Sequence, residues 1–245
     1  MKFLIQTIDG KIKHDFSFTL IEAIGYHNWY GQDSSFQYVL SDNELLPNYI
    51  PIGSVEFVSN YLKTYFDYTP KPKNIPDKLL DKLYTKRRVF NGTEKDIHEL
   101  KFVKSNDSIK HFTEECDSAP VGNYQISDII DIESEWRCFV YKNKLVGLQN
   151  YSGDFCMFPD VRLINKMIVE YSTAPIAYTL DVGINTHDGT FIIEAHDFFS
   201  CGLYGFSDLK ILPFMFYSWW RETTNNLVTV KELLTLHTIY SIIRV

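Results

Sequence analysis

Thr179-Leu180-Asp181-Val182-Gly183-Ile184-Asn185-Thr186-His187-Asp188-Gly189-Thr190-Phe191-Ile192-Ile193-Glu194-Ala195-His196 reads as a β-hairpin. Two alternating β-prone runs flank Asp188-Gly189, a pair suited to the positive-φ positions of a type I′ turn. A two-residue loop predicts His187 opposite Thr190, Asp181 opposite His196 and Glu194 opposite Gly183. Alternation then puts Leu180, Val182, Ile184, Phe191, Ile193 and Ala195 on an apolar face, with Asp181, Gly183, Glu194 and His196 on the other. A four-residue loop places Asp181 directly opposite Glu194 and keeps both faces, whereas an odd loop flips the side chains of one strand.

Two carboxylates and an imidazole beside a glycine that leaves space resemble a site for a hard divalent cation. An ordinary solvent-facing side of a hairpin has the same pattern. Alternating polar residues are common, so geometry alone favours the ordinary face; Asp181 and Glu194 would nonetheless repel, and a cation between them would relieve that cost.

Upstream, Ser134-Glu135-Trp136-Arg137-Cys138-Phe139-Val140 reads as a strand with Glu135 and Arg137 on one face. They form either an internal ion pair or an arginine held by its neighbour and aimed at phosphate oxygens, which its planar fork suits. Lys104 ends the apolar run Phe102-Val103-Lys104, where a long cation reaches the floor of a cleft; Arg87, Arg88 and Lys110 are further cations of the same region. Surface lysines at strand ends are common without a ligand. Downstream, His196-Asp197 and Ser200-Cys201-Gly202 lack a partner that would define a catalytic pair or a nucleophile, so Cys201 reads as core or turn. Neither GxGxxG nor GxxxxGK[ST] occurs, which argues against Rossmann and P-loop nucleotide sites.

Working outward, residues 3–8 and 36–40 read as strands with a loop between them, and Ser54 caps a helix carrying Val55, Phe57, Val58, Tyr61, Leu62 and Tyr65. Three prolines in residues 70–76 exclude helix and central strand and end a first lobe. A short helix at 77–84, strands at 87–91 and 100–104, and a β-prone stretch at 125–140 follow. A turn at 141–144, a helix at 161–170, and closing helices at 212–221 and 229–243 complete the chain.

With 45% apolar and 16% aromatic residues among 245, the chain is long and apolar enough for a sizeable core. A net charge of −7 with mixed signs gives no field for a phosphate backbone, so no nucleic-acid partner is expected. The basic run at residues 71–88 is interrupted by Asp77 and Asp81 and reads as a solvated face. Cys116, Cys138, Cys156 and Cys201 form no CxxC pair and are expected to be reduced and mostly buried. Neither a signal peptide nor a spanning segment is apparent, so a cytoplasmic protein without a membrane partner is expected.

Taken in order, Pro51-Ile52-Gly53-Ser54-Val55-Glu56-Phe57, Phe102-Val103-Lys104, Ser134-Glu135-Trp136-Arg137, Tyr178-Thr179-Leu180-Asp181-Val182-Gly183 and Ile193-Glu194-Ala195-His196-Asp197-Phe198-Phe199-Ser200-Cys201-Gly202 resemble the ATP-grasp superfamily, and within it the R2K clade of small proteins found largely in phages and bacteria. The resemblance covers roughly residues 51–222. It implies an α/β protein with a pre-ATP-grasp lobe (1–76), a small α+β lobe (77–128) and a large α+β lobe (129–245), the latter two enclosing the nucleotide. ATP and Mg²⁺ are the implied cofactors. By likeness Lys104 matches a lysine near the adenine and α-phosphate, and Arg88 stands for the other ATP-contacting lysine. Lys110 and Glu135 join the nucleotide-binding set. Residues Ser127, Asp128, Ile129 and Ile130 match the adenine hinge. Arg137 faces the transferred phosphoryl group, and Asp181 and Glu194 match the metal carboxylates.

Where the family commonly has Asn two residues after the second carboxylate, this chain has His196 followed by Asp197, so the third ligand is either of these. A glycine-rich phosphate flap is also absent, with the short loop at 105–108 in its place. The implied reaction joins a carboxylate to an amine through an acyl phosphate with ADP release, the acceptor being a metabolite or a protein or peptide. Two rivals remain: a Mg²⁺-dependent nuclease, since Asp181 with Glu194-Ala195-His196 loosely resembles a D…ExK site, and a non-catalytic ATP-binding module.

Overall fold

The computed structural model describes residues 1–32, 35–109 and 112–242, with side chains through residue 227. The chain divides into two compact units: Met1–Thr69 with Asp208–Val245, and Pro70–Ser207.

In the first unit, β1 (Lys2–Gln6) is the centre of a parallel sheet of order β2-β1-β3, with β2 at Gln37–Ser41 and β3 at Ile50–Ile52. Parallel neighbours need a crossover. Helix α1 (Asp15–Gly31) supplies it between β1 and β2, where the sequence reading expected a loop. Its signal is Phe16, Leu20, Ala23 and Ile24, which follow helical spacing and are all buried; the exposed aromatics Trp29 and Tyr30 obscure the pattern. Helix α2 (Val55–Phe66) starts as expected, with the Ser54 hydroxyl accepting from the Phe57 amide. The two closing helices are one, α5 (Leu212–Ile242). The weak helix formers Thr223, Thr224, Asn225 and Asn226 lie between the two expected helices, but neither glycine nor proline interrupts residues 214–242. The Trp220 ring meets Tyr61 edge-on at 5.6 Å.

The second unit holds two antiparallel sheets. One has order β4-β7-β5-β6, built from Val89–Thr93, Asn123–Ser127, Lys101–Ser105 and Thr113–Cys116. Its small core includes Val103 and Ile126. The other has order β11-β10-β8-β9, built from Gly189–Asp197, Ala177–Asn185, Ser134–Tyr141 and Lys144–Gly153. One face of this sheet carries Trp136, Cys138, Val140, Leu180, Val182 and Ile192, and it packs on Ile164, Met167 and Ile168 of α4 (Val161–Glu170). The helix expected at residues 77–84 is instead a 3₁₀ turn, Asp77–Leu79, followed by the short helix α3, Lys82–Thr85. A polar clasp joins the two sheets. The Asn74 carbonyl accepts from the Ala195 amide at 2.8 Å, the Asn74 side chain donates to the Ser105 carbonyl, and Gln125 exchanges two hydrogen bonds with the Ile75 backbone.

All four cysteines are free thiols, but only Cys138 and Cys201 are buried; Cys156 is exposed and Cys116 lies between. Among the described residues, no helix is long and apolar enough to cross a membrane.

Candidate active site

The hairpin closes differently from its sequence pattern. Asn185 pairs with Gly189 around a three-residue loop, so the tip runs in an odd register, with Ile184 opposite Thr190, Gly183 opposite Phe191 and Val182 opposite Ile192. A bulge between Val182 and Asp181 then restores even register by leaving Ile193 without a partner, and Asp181 stands directly opposite Glu194. Two consequences follow. Ile192 rather than Phe191 joins the core cluster that packs on α4, although Phe191 is fully buried as well. The space above Gly183 is filled by the Phe191 ring, which would lie 2.5 Å from a Cβ there, so the glycine accommodates an aromatic neighbour and not an ion.

Because Asp181 pairs with both Glu194 on β11 and Arg137 on β8, these three residues form one rung across three strands. The next rung is Phe139, Thr179 and His196. Residues directly opposite share a face, so Arg137, Asp181, Glu194 and His196 all project away from α4.

Arg137 donates from Nε to Asp181 Oδ1 at 2.8 Å and from Nη2 to Oδ2 at 2.7 Å, a bidentate pair, while Nη1 donates to the Gly202 carbonyl at 3.1 Å. The ion-pair reading with Glu135 is therefore corrected: Glu135 accepts from the Tyr151 hydroxyl instead. The guanidinium lies 5.0 Å from the Tyr204 ring and 5.6 Å from the Tyr151 ring, which stack on each other. Tyr151, Tyr204, Gly202 and Asn74 are site neighbours that sequence reasoning missed; only chain folding brings them there.

Lys104, on the other sheet, reaches across to Glu194 Oε2. His196 Nε2 lies 2.8 Å from Glu194 Oε1 and 3.8 Å from Asp181 Oδ2. Burial would raise the Glu194 carboxyl, but His196 and Lys104 outweigh it and hold the group well below the usual carboxylate range. Burial likewise pulls the His196 imidazole down, and the carboxylates of Glu194 and then Asp181 override it, leaving it above its ordinary value.

Asp181, Glu194 and His196 each offer one ligand atom, all within 4.8 Å of one another. Donors around an ion with bonds of about 2.1 Å stand about 3 Å apart when adjacent and about 4.2 Å apart when opposite, so the donor chemistry suits a divalent cation and the side chains need a small shift to close on one. Asp197 does not join them. As the next residue on the strand it faces the other way, 3.6 Å from Lys73 Nζ.

The remaining expected residues gather elsewhere. A cleft of about 530 Å³ is lined by residues 86–88 and 128–130, which brings Arg88 to Asp128, Ile129 and Ile130. Within it the Asp128 amide donates to the Arg88 carbonyl at 3.0 Å, and the Asp128 carboxylate takes Lys101 Nζ at 2.8 Å. Burial lowers the Arg87 guanidinium, against the raising effect of Asp128, to about 10. Ser127 is buried and its hydroxyl points to the Phe102 carbonyl. Lys110 lies outside the described residues.

The fold is that of ATP-grasp proteins. It matches D-alanine–D-alanine ligase from Bacillus anthracis with a TM-score of 0.51 at 11% identity, covering 92% of this chain and 99% of that one. It matches D-cycloserine synthetase DcsG with a TM-score of 0.52 at 11% identity, covering 91% and 99%. Among curated proteins, none matches the chain in sequence. The model of the ATP-grasp domain, R2K clade family 2, matches residues 84–213, more than half of the chain, and the protein belongs to that family.

Proposed function

We propose that this protein is an ATP-dependent carboxylate–amine ligase that releases ADP and phosphate. The observation that carries the reading is the convergence of Asp181, Glu194, His196 and Arg137 on one sheet face, met by Lys104 from the other sheet, in a chain whose family binds ATP by name. Arg137 would be the group that meets the transferring phosphoryl oxygens, since Asp181 fixes its planar fork. Lys104 would exchange its bond to Glu194 for an anionic oxygen of the nucleotide. Asp181, Glu194 and His196 would hold a divalent cation, which when bound supplies charge neutralisation on the phosphates. The cleft at residues 86–88 and 128–130 is the natural place for the adenine, where backbone groups and the flanking Arg88 are at hand.

A substrate carboxylate oxygen attacks the γ-phosphorus, ADP leaves, and the amine then displaces phosphate from the acyl carbon. Of the proteins whose fold it shares, one is named for joining D-alanine to D-alanine and another for making D-cycloserine, which makes amino acids the first substrates to try. A nuclease would need no ATP, and its usual lysine is replaced here by His196.

Pools of amino acids, small carboxylates and short peptides, given with ATP and Mg²⁺, should stimulate ADP release, with the ligated product seen by mass spectrometry. If calorimetry shows ATP binding but no pool stimulates ADP release, the protein is a binding module and the ligase reading falls.

A further inference from the structure

We infer that His196 makes this metal site select Mn²⁺ over Mg²⁺. The inference rests on the proposed reading of Asp181 and Glu194 as cation ligands and goes beyond it by assigning the ion. Of the three converging donors, two are carboxylate oxygens and the third is an imidazole nitrogen. The nitrogen is not peripheral: Nε2 is the ring atom presented to both carboxylates, hydrogen-bonded to Glu194 Oε1 at 2.8 Å and 3.8 Å from Asp181 Oδ2.

Mg²⁺ demands oxygen ligands and near-ideal octahedral geometry, and it gives up water reluctantly. An imidazole in its shell therefore contributes little. Mn²⁺ accepts carboxylates as readily as Mg²⁺ does, and as a transition ion it also gains from a nitrogen donor. Two carboxylates and one imidazole sit where these preferences overlap.

The surroundings keep the donor set in place. Arg137 holds both oxygens of Asp181, and Lys104 holds Glu194 Oε2, leaving Oε1 directed at the imidazole. Such outer contacts orient ligands without occupying the ion's position. Thr179 pairs with His196 across the two strands, and its buried hydroxyl has no hydrogen-bond partner among the described residues.

The test uses the full-length protein with MnCl₂ or MgCl₂ alone at about pH 8. Calorimetry gives the affinities, and electron spin-echo modulation of bound Mn²⁺ reports whether nitrogen is coordinated. The wild type should bind Mn²⁺ with a ¹⁴N modulation. In His196→Gln, whose Oε1 is three bonds from Cβ as Nε2 is, that modulation should vanish. Mn²⁺ affinity should fall about tenfold, with Mg²⁺ affinity changing much less. Mn²⁺ binding without nitrogen modulation, or equal losses for both ions in His196→Gln, would overturn the selectivity and leave the metal site standing. Absence of either ion from the wild type, with Glu194→Gln as the matching blank, would overturn the selectivity and the cation reading together.

Discussion

Arg137→Ala should lower the unfolding free energy by about 3–5 kcal/mol, the cost of leaving one member of a buried ion pair without its partner. Arg137 and Asp181 are 7% and 1% exposed, and their bidentate contact lies in the middle of a four-stranded sheet. From sequence, a cation meant for a nucleotide would be replaceable without harm to the fold. The geometry says otherwise: removing the guanidinium strands the Asp181 carboxylate among β8, β10 and β11. Denaturant unfolding of Arg137→Ala, Asp181→Ala and the double variant Arg137→Leu/Asp181→Leu checks this. The double variant should recover a large share of the loss, because it strands neither charge. Equal stability of Arg137→Ala and wild type would show that the pair does not hold the sheet. Activity lost in either single variant cannot be assigned to chemistry until the folded fraction is known.

Glu194 is the cleaner probe of catalysis. It is more exposed, with 23% of its side chain accessible, and both its partners, Lys104 and His196, sit at the site itself. Glu194→Gln preserves shape and removes one negative charge. Turnover should fall by at least about 10²-fold, the scale of losing one charge-stabilising contact to a developing phosphoryl charge. ATP affinity should change less than about tenfold, since adenine and ribose contacts lie elsewhere. Steady-state ADP release alongside ATP calorimetry separates the two. A variant that binds and turns over ATP like the wild type would remove Glu194 from the reaction.

How much of this was legible in the residues differs from element to element. The alternation of residues 177–197 was enough to put Asp181, Glu194 and His196 on one face, because a period of two leaves little choice. The Asp188-Gly189 pattern implies an even loop, whereas the protein reaches the same face by another route: an odd loop followed by a bulge at Ile193. Neither feature has a strong local signature, since bulge and loop trade residues without changing composition. The Ser54 cap was visible because its hydroxyl acts on an amide three residues away. Arg137 illustrates the opposite case. Its strand neighbour Glu135 was the partner in view, whereas its true partner Asp181 is 44 residues distant and meets it only through the β8–β10 pairing. Lys104 and Glu194 are 90 residues apart and lie on different sheets, so alternation within either strand says nothing of their meeting. The α1 helix was missed for a different reason. Its buried stripe at Phe16, Leu20, Ala23 and Ile24 is narrow, and aromatics on its exposed side dilute the contrast on which periodicity depends.

The central claim is that a substrate carboxylate attacks the γ-phosphate of ATP, and oxygen transfer tests it most directly. Amino acids labelled with ¹⁸O in the carboxylate, incubated with ATP and the divalent cation, should yield ADP together with inorganic phosphate carrying one ¹⁸O atom. That atom is the carboxylate oxygen that formed the acyl phosphate and left when the amine arrived. Label in AMP would place the attack at the α-phosphorus, and unlabelled phosphate accompanying product would mean that no acyl phosphate forms; either result contradicts the account.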